Sequence, residues 1–296
     1  MTERATSDRT VVLRAMVIMG CSVSLFPCTD AISKYLVRDY DVIQVTWARY
    51  LFHFLLLAVA LGGFRALRWY QTRRLPLLVL RSILSVAATM VFIIAIKAIP
   101  IVDGYAILFT NPLLIVALSV PILGERVGIH RWTAVIVGFT GILFVLRPGS
   151  GLLDFSALLA LVAALCVATA NIITRIISRT DHVLTTLLYM ATVGTAVLTL
   201  LVPFHWRTPG WDAWALMALS GLVGGVGHFG VIKAIQMAPV SALAPLSYVQ
   251  IVTATALGYF VFGTLPDAWT LAGLAVIVGS GLYIFHRERR AVRAAS

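Results

Sequence analysis

Long apolar runs, separated by short polar links, recur along the whole chain. Each run holds about 20 residues with few Asp, Glu, Lys or Arg, which is the length that crosses a bilayer as a helix. Backbone polar groups cannot stay unpaired in lipid, so the pattern predicts helices. The ten predicted spans are Val12–Val37, Val42–Gly62, Pro76–Lys97, Val102–Leu123, Ile129–Leu146, Leu153–Ile177, Val183–Phe204, Trp211–Ile235, Val240–Phe262 and Ala268–His286.

Composition narrows the class of protein. Apolar residues make up 60% of the 296 residues and charged residues only 12%, about half the charged share of a soluble domain. A soluble globular enzyme and a disordered chain are therefore excluded, and we expect an all-α integral membrane protein.

The net charge of +11 is concentrated between the apolar runs. Positive cytoplasmic loops explain this distribution better than a nucleic-acid surface does, so no nucleic-acid partner is expected. With both termini in the cytoplasm, 17 Lys and Arg residues lie inside and 6 lie outside. This bias predicts that orientation, in the inner membrane of a bacterial-type cell.

Sequence matches relate the two halves of the chain. Each half holds five predicted helices, an odd number, so the second half enters the membrane from the opposite side. We predict two inverted five-helix repeats, residues 1–149 and 150–296, with the substrate site between them. The matches, 139 or 141 residues apart, join Ala134–Gly138 to Ala275–Gly279, Ala95–Pro100 to Ala234–Pro239, and Asp30 and Lys34 to Asn171 and Arg175.

Further motifs carry a family resemblance. They are Phe109–Pro112, Leu123–Arg126, Gly138–Gly141, Arg147–Gly149, Ala238–Ser241, Ala244–Pro245, Tyr248, Phe262–Gly263 and Gly279–Leu282. In these the chain resembles the drug/metabolite transporter superfamily, EamA type, and within it the amino-acid exporters, including those for aromatic amino acids. The resemblance implies ten helices in two repeats and secondary transport. One departure is Gly263-Thr264, which stands where the first half has Gly124-Glu125, so the second half lacks the acidic member of a matched pair.

Two amides stand at equivalent positions. Asn111 and Gln250 are 139 residues apart, each within an apolar run. An amide offers donors and an acceptor, so the pair suits a zwitterionic substrate at the midplane. The alternative is a hydrogen bond between helices, worth about 0.6 kcal/mol in membranes.

Hydroxyl and aromatic side chains in the same runs extend the candidate site. Ser85 and Ser247 are expected beside the substrate. Tyr105 and Tyr248 are expected either to stack on an aromatic substrate or to form gates around the cavity.

Prolines interrupt three of the runs. Pro27, Pro112 and Pro245 each remove a backbone donor, which frees a carbonyl and permits a kink. They are candidates for hinges or for parts of the site, and the alternative is a proline that the helix merely tolerates.

Two titratable residues are candidates for coupling or gating. Asp30 has Lys34 four residues later, so a structural ion pair is favoured over proton coupling or binding of a substrate ammonium. His228 lies among four glycines, and a packed neutral histidine is favoured over one that titrates.

No catalytic motif, metal-ligand spacing or cofactor motif occurs in the sequence, so no enzyme activity, metal or cofactor is expected. An intramembrane enzyme acting on a lipid-linked substrate is the alternative, but the intramembrane acids are isolated in the sequence.

We expect a secondary transporter that exports or exchanges small polar metabolites by alternating access. Amino acids are the favoured substrates, and another metabolite or a drug-like compound is possible. The substrate, the flux direction, the coupling and the oligomeric state stay open, with a monomer plausible.

Overall fold

The computed structural model describes residues 2–124, 127–146, 155–178, 180–238 and 243–295. These residues form helices joined by short connections, and no strand occurs among them. The α-helices are α1 (Thr2–Leu36), α2 (Val42–Ala60), α3 (Leu75–Ala98), α4 (Ile101–Leu108), α5 (Asn111–Leu123), α6 (Ile129–Leu146), α7 (Phe155–Ile177), α8 (Val183–Leu201), α9 (Trp211–Met237), α10 (Val249–Phe262) and α11 (Ala268–Ala295). Short 3₁₀ helices cover Gly63–Tyr70, Val202–His205 and Ala244–Tyr248. The predicted boundary between residues 149 and 150, and the motif residues Glu125, Arg126, Arg147–Gly149 and Pro239–Ser241, lie outside the described residues.

The helices suit a bilayer in length and surface. Within the described ranges, nine helical stretches are long and apolar enough to span a membrane, and Ala268–Ile284 is a shorter apolar stretch at the tenth predicted position. Large apolar side chains cover the outside of the bundle, with Phe260 82% and Val59 79% exposed. Such side chains favour lipid over water. The predicted all-α membrane class is therefore confirmed.

Helix packing follows the predicted repeats. The first-half helices α1, α2, α3 and α6 correspond to α7, α8, α9 and α11. α1 packs along α9, and α7 packs along α3, so exchanging the halves leaves this pairing unchanged. The pairs α2–α8 and α6–α11 join equivalent helices directly. The core is thus shared between the two halves.

Two spans that were predicted as continuous are divided in the structure. The span Val102–Leu123 consists of α4 and α5, and the span Val240–Phe262 holds a 3₁₀ helix followed by α10. Pro112 stands in the first turn of α5 and Pro245 in the first turn of the 3₁₀ helix, where a missing amide hydrogen costs no intrahelical bond. Divided helices near the midplane are typical of secondary transporters.

The divided helices also end alike. α5 is capped by Gly124 and α10 by Gly263, both with φ of 67°. This left-handed conformation favours glycine. The two caps are 139 residues apart, the offset that relates Asn111 to Gln250.

Candidate functional site

A cavity of about 500 Å³ lies among helices of both halves of the chain. Its walls come from α1 to α5 in the first half, and from α7 to α10 with the Ala244–Tyr248 turn in the second. The predicted site residues that line it are Asp30, Ser85, Tyr105, Asn111, Pro112, His228, Ser247 and Gln250.

The other three predicted site residues do not line this cavity. Pro27 is buried within α1, which continues through it without a break. Pro245 is exposed in the 3₁₀ turn before α10. Tyr248 instead packs on the cavity residue Phe109, with ring centroids 5.2 Å apart.

The break between α4 and α5 lies beside the cavity, and the first residue of α5 brings a polar side chain to it. Asn111 is the first residue of α5, and its Oδ1 lies 3.5 Å from Nδ2 of Asn171 on α7. Leu108 and Asn171 also line the cavity.

Gln250 stands at the corresponding place in the second half. It is the second residue of α10, directly after the 3₁₀ turn that contains Ser247. The two amides that were predicted as equivalents therefore enter one cavity from the starts of two divided helices.

Asp30 has a different ion-pair partner from the one predicted. Its Oδ1 accepts from Nη1 of Arg49 on α2 at 2.6 Å, and its Oδ2 accepts from the Tyr105 hydroxyl at 2.6 Å. Lys34 instead donates to the carbonyls of Ile96 and Ile99 at 2.5 and 2.6 Å. The predicted Asp30–Lys34 pair is therefore wrong. A partner on another helix replaces it because the carboxylate faces the interior of the bundle.

His228 packs against a second histidine. The His53 and His228 rings are stacked, with centroids 5.4 Å apart and planes 3° apart. Phe26 lies on His228 at 4.8 Å, tilted by 53°. All three side chains line the cavity. The Nε2 atom of His53 is buried with no hydrogen-bond partner among the described residues.

A second arginine reaches the cavity from α3. Nε of Arg81 donates to Oγ1 of Thr174 at 2.7 Å. Its Nη1 is buried and has no hydrogen-bond partner within the described part of the chain. Arg81 was counted among the inside charges and Arg49 among the outside charges, although both lie within predicted spans, and both are found within spanning helices. Removing them leaves 16 inside against 5 outside, so the charge bias persists.

The two candidate serines differ in their bonding. The Ser85 hydroxyl donates to the Arg81 carbonyl at 2.9 Å, one turn back on α3. Its oxygen still has an acceptor lone pair for a ligand. Ser247 lies in the 3₁₀ turn and also lines the cavity.

Six polar cavity residues were missed as site residues: Arg49, Tyr50, His53, Arg81, Thr89 and Asn171. For Asn171 the sequence did hold a signal, since it aligns with Asp30 across the repeat. Among the described residues, no group of three or more His, Cys, Asp or Glu side chains is placed to hold a metal ion.

Comparisons with known proteins identify transporters among the relatives of this chain. The S-adenosylmethionine uptake transporter of Rickettsia felis is 28% identical over 263 residues, which cover 89% of each chain. The riboflavin transporter of Vibrio cholerae is 29% identical over 196 residues, which cover 66% of each chain. These relatives are transporters rather than enzymes, and they do not support the predicted preference for amino acids.

A solved crystal structure shows the same fold. It aligns with a TM-score of 0.62 at 19% identity, over 94% of this chain and 98% of the other. The model of the EamA-like transporter family matches residues 14–147 and again residues 154–285, one match in each half. The chain therefore belongs to the EamA-like transporter family, as its motifs predicted, and is a multi-pass membrane transporter of small molecules.

Proposed function

We propose that the central cavity binds one small organic solute with a flat heteroaromatic ring, and that the chain carries it across the membrane by alternating access. The observation that carries this proposal is the cavity itself. It has the volume of a small-molecule site, and helices of both halves line it. Rocking of one half against the other would expose such a cavity to each side in turn.

Aromatic side chains support a flat substrate. Phe92 and Tyr105 have ring centroids 5.6 Å apart, and Phe109 follows Tyr105 at 6.5 Å. The Phe26, His228 and His53 rings form a second group. S-adenosylmethionine and riboflavin, which name the two relatives, both contain flat heteroaromatic rings that stack on such side chains.

Amides and hydroxyls would bind the polar part of the substrate. Asn111, Gln250 and Asn171 offer both donors and acceptors, and Ser85 and Ser247 add hydroxyl oxygens. A free amino acid is the second candidate, because these amides suit a zwitterion. S-adenosylmethionine itself ends in an amino-acid group, so both candidates use the same amides and differ in their need for the aromatic side chains.

A transport panel separates the two candidates. The purified chain in proteoliposomes is assayed for uptake of labelled S-adenosylmethionine, riboflavin, tryptophan and alanine, with protein-free liposomes as the blank. Uptake of either ring compound, without uptake of alanine, supports the proposal. Uptake of alanine alone contradicts it and supports the amino-acid candidate.

Matched phenylalanine variants link that transport to the cavity. Phe109→Ala removes a ring from the cavity, whereas Phe260→Ala removes a ring that is 82% exposed on the outer surface. Loss of a stacking partner costs roughly 1–3 kcal/mol for a base, so Phe109→Ala should weaken binding and Phe260→Ala should not. Equal effects of the two variants would place the substrate elsewhere.

Coupling and hinge roles belong to this proposal as well. Asp30 and His228 are the candidate proton carriers, and Pro27, Pro112 and Pro245 are the candidate hinges. An imposed pH gradient across the proteoliposomes tests the first role. If His228→Gln abolishes acceleration of uptake by the gradient and leaves uptake without a gradient intact, His228 carries the proton. Unchanged acceleration excludes that role.

We further propose that the chain lies in the inner membrane with both termini in the cytoplasm. The Lys and Arg bias supports this orientation. The halves would be divided between residues 149 and 150, and a monomer would suffice, because one chain supplies all the walls of the cavity named above.

A further inference from the structure

Arg81 places a charged group inside the membrane-spanning part of the bundle. It lies seven residues into α3, a helix of 24 residues, and lines the cavity. Its Nε is bonded to a neutral hydroxyl, that of Thr174. Its Nη1 is buried without a hydrogen-bond partner among the described residues. A buried guanidinium donor without an acceptor lowers the stability of the folded chain, unless a ligand supplies the acceptor.

The charges that line the cavity do not cancel. Among the described residues that form its walls, Asp30 is the one carboxylate. Both of its oxygens are already engaged, one by Arg49 in an ion pair and the other by Tyr105. The positive charge of Arg81 therefore has no protein counter-charge among the wall residues that the structure describes.

The shape of the guanidinium indicates what would bind it. Arginine presents several N–H donors in a planar fork, which matches the paired oxygens of a carboxylate or phosphate. A neutral substrate would leave the charge of Arg81 unbalanced within a membrane-spanning helix. An anionic group would balance it and would occupy the free donor.

We propose that the substrate of this transporter carries an anionic oxygen group, a carboxylate or a phosphate, that binds Arg81. This inference rests on the proposed function, since it names the chemistry of the solute in the same cavity. The anionic group would lie at Arg81, and the flat ring would lie among the aromatic side chains.

Two pairs of compounds test the inference on the purified full-length chain. S-adenosylmethionine is compared with its decarboxylated form, which lacks only the carboxylate. Riboflavin is compared with flavin mononucleotide, which adds a phosphate. Dissociation constants are measured for the wild type, Arg81→Gln and Arg81→Lys. Arg73→Gln is the matched control, because Arg73 is exposed in the link before α3 and its loss removes the same charge outside the cavity.

The expected result is a preference of the wild type for the anionic member of at least one pair, by roughly ten-fold to a hundred-fold, the range for hydrogen bonds to charged groups. Arg81→Gln should abolish that preference. Arg81→Lys should keep part of it, and Arg73→Gln should keep all of it. The melting temperature of ligand-free Arg81→Gln should equal or exceed that of the wild type, because an unpaired charge does not stabilise the folded chain.

Any of four outcomes would overturn the inference. If the wild type binds the members of each pair equally, or if Arg81→Gln keeps the preference, the inference fails and the proposed function stands. If ligand-free Arg81→Gln melts far below the wild type, Arg81 is structural. If the wild type binds none of the four compounds, the proposed function fails and this inference fails with it.

Discussion

Phe109 and Tyr248 pack on each other with ring centroids 5.2 Å apart, although 139 residues separate them in the chain. Each stands at the break of a divided helix, Phe109 after α4 and Tyr248 before α10. The offset is the one that relates Asn111 to Gln250 and Gly124 to Gly263. Equivalent residues of the two halves thus meet directly beside the cavity, as an axis between the halves would require.

Removing one charge of the Asp30–Arg49 pair should lower the thermal stability more than removing both charges does. Asp30→Asn or Arg49→Gln alone leaves a buried charge without its partner, which costs about 3–5 kcal/mol. The double variant removes both charges and should recover much of that loss. Thermal unfolding of the wild type, both single variants and the double variant in detergent measures this coupling. Additive losses would show that the two side chains act independently.

Close packing of α6 on α11 should depend on two glycines. A Cβ added at Gly273 would lie 2.5 Å from the Gly141 carbonyl oxygen, whereas a Cβ at Gly279, also on α11, would meet nothing within 4 Å. Gly273→Ala should therefore destabilise the fold by about 1–3 kcal/mol, the cost of overpacking. Gly279→Ala is the matched control and should leave the melting temperature unchanged or raise it slightly. Equal melting temperatures of the two variants would contradict this contact.

Orientation in the membrane can be tested with fusions. A reporter placed after Ser296 should give a cytoplasmic signal, and a reporter in the link between Phe204 and Trp211 should give an external one. The physical reason is the excess of Lys and Arg in the links assigned to the cytoplasm. The reverse pair of signals would invert the orientation proposed here.

The sequence was sufficient to predict the class, the spans and the repeats, because these depend on run length and on offsets within one chain. Asn111 and Gln250 were selected as candidate site residues because an amide within an apolar run is conspicuous. The helix breaks were missed, since Phe109 and Thr110 are as compatible with a continuous helix as with a turn. Pro112 indicated a possible kink in this span, but it did not show that the span divides into two helices.

The polar contacts of the site could not be predicted in the same way. The partner of Asp30 is Arg49 on the next helix, and spacing along one helix favoured Lys34 instead. Likewise, His53 and His228 stack across α2 and α9, 175 positions apart in the numbering. Arg81 was counted among the cytoplasmic charges although it lies inside the predicted span Pro76–Lys97, because counting positive charges does not reveal how deep a side chain lies. Such contacts depend on helix packing, which periodicity alone does not determine.

The most direct test of the central claim is the substrate affinity of Asn111→Ala and Gln250→Ala, measured beside the thermal stability of each variant with the compound that the transport panel identifies. If one substrate is bound from both halves, each variant should lose about 1–3 kcal/mol of binding free energy, the cost of leaving a buried partner unsatisfied. Stability should change little, because hydrogen bonds between membrane helices are individually weak. Unchanged affinity with lowered stability would contradict the account, because the two amides would then serve helix packing and the substrate would bind elsewhere.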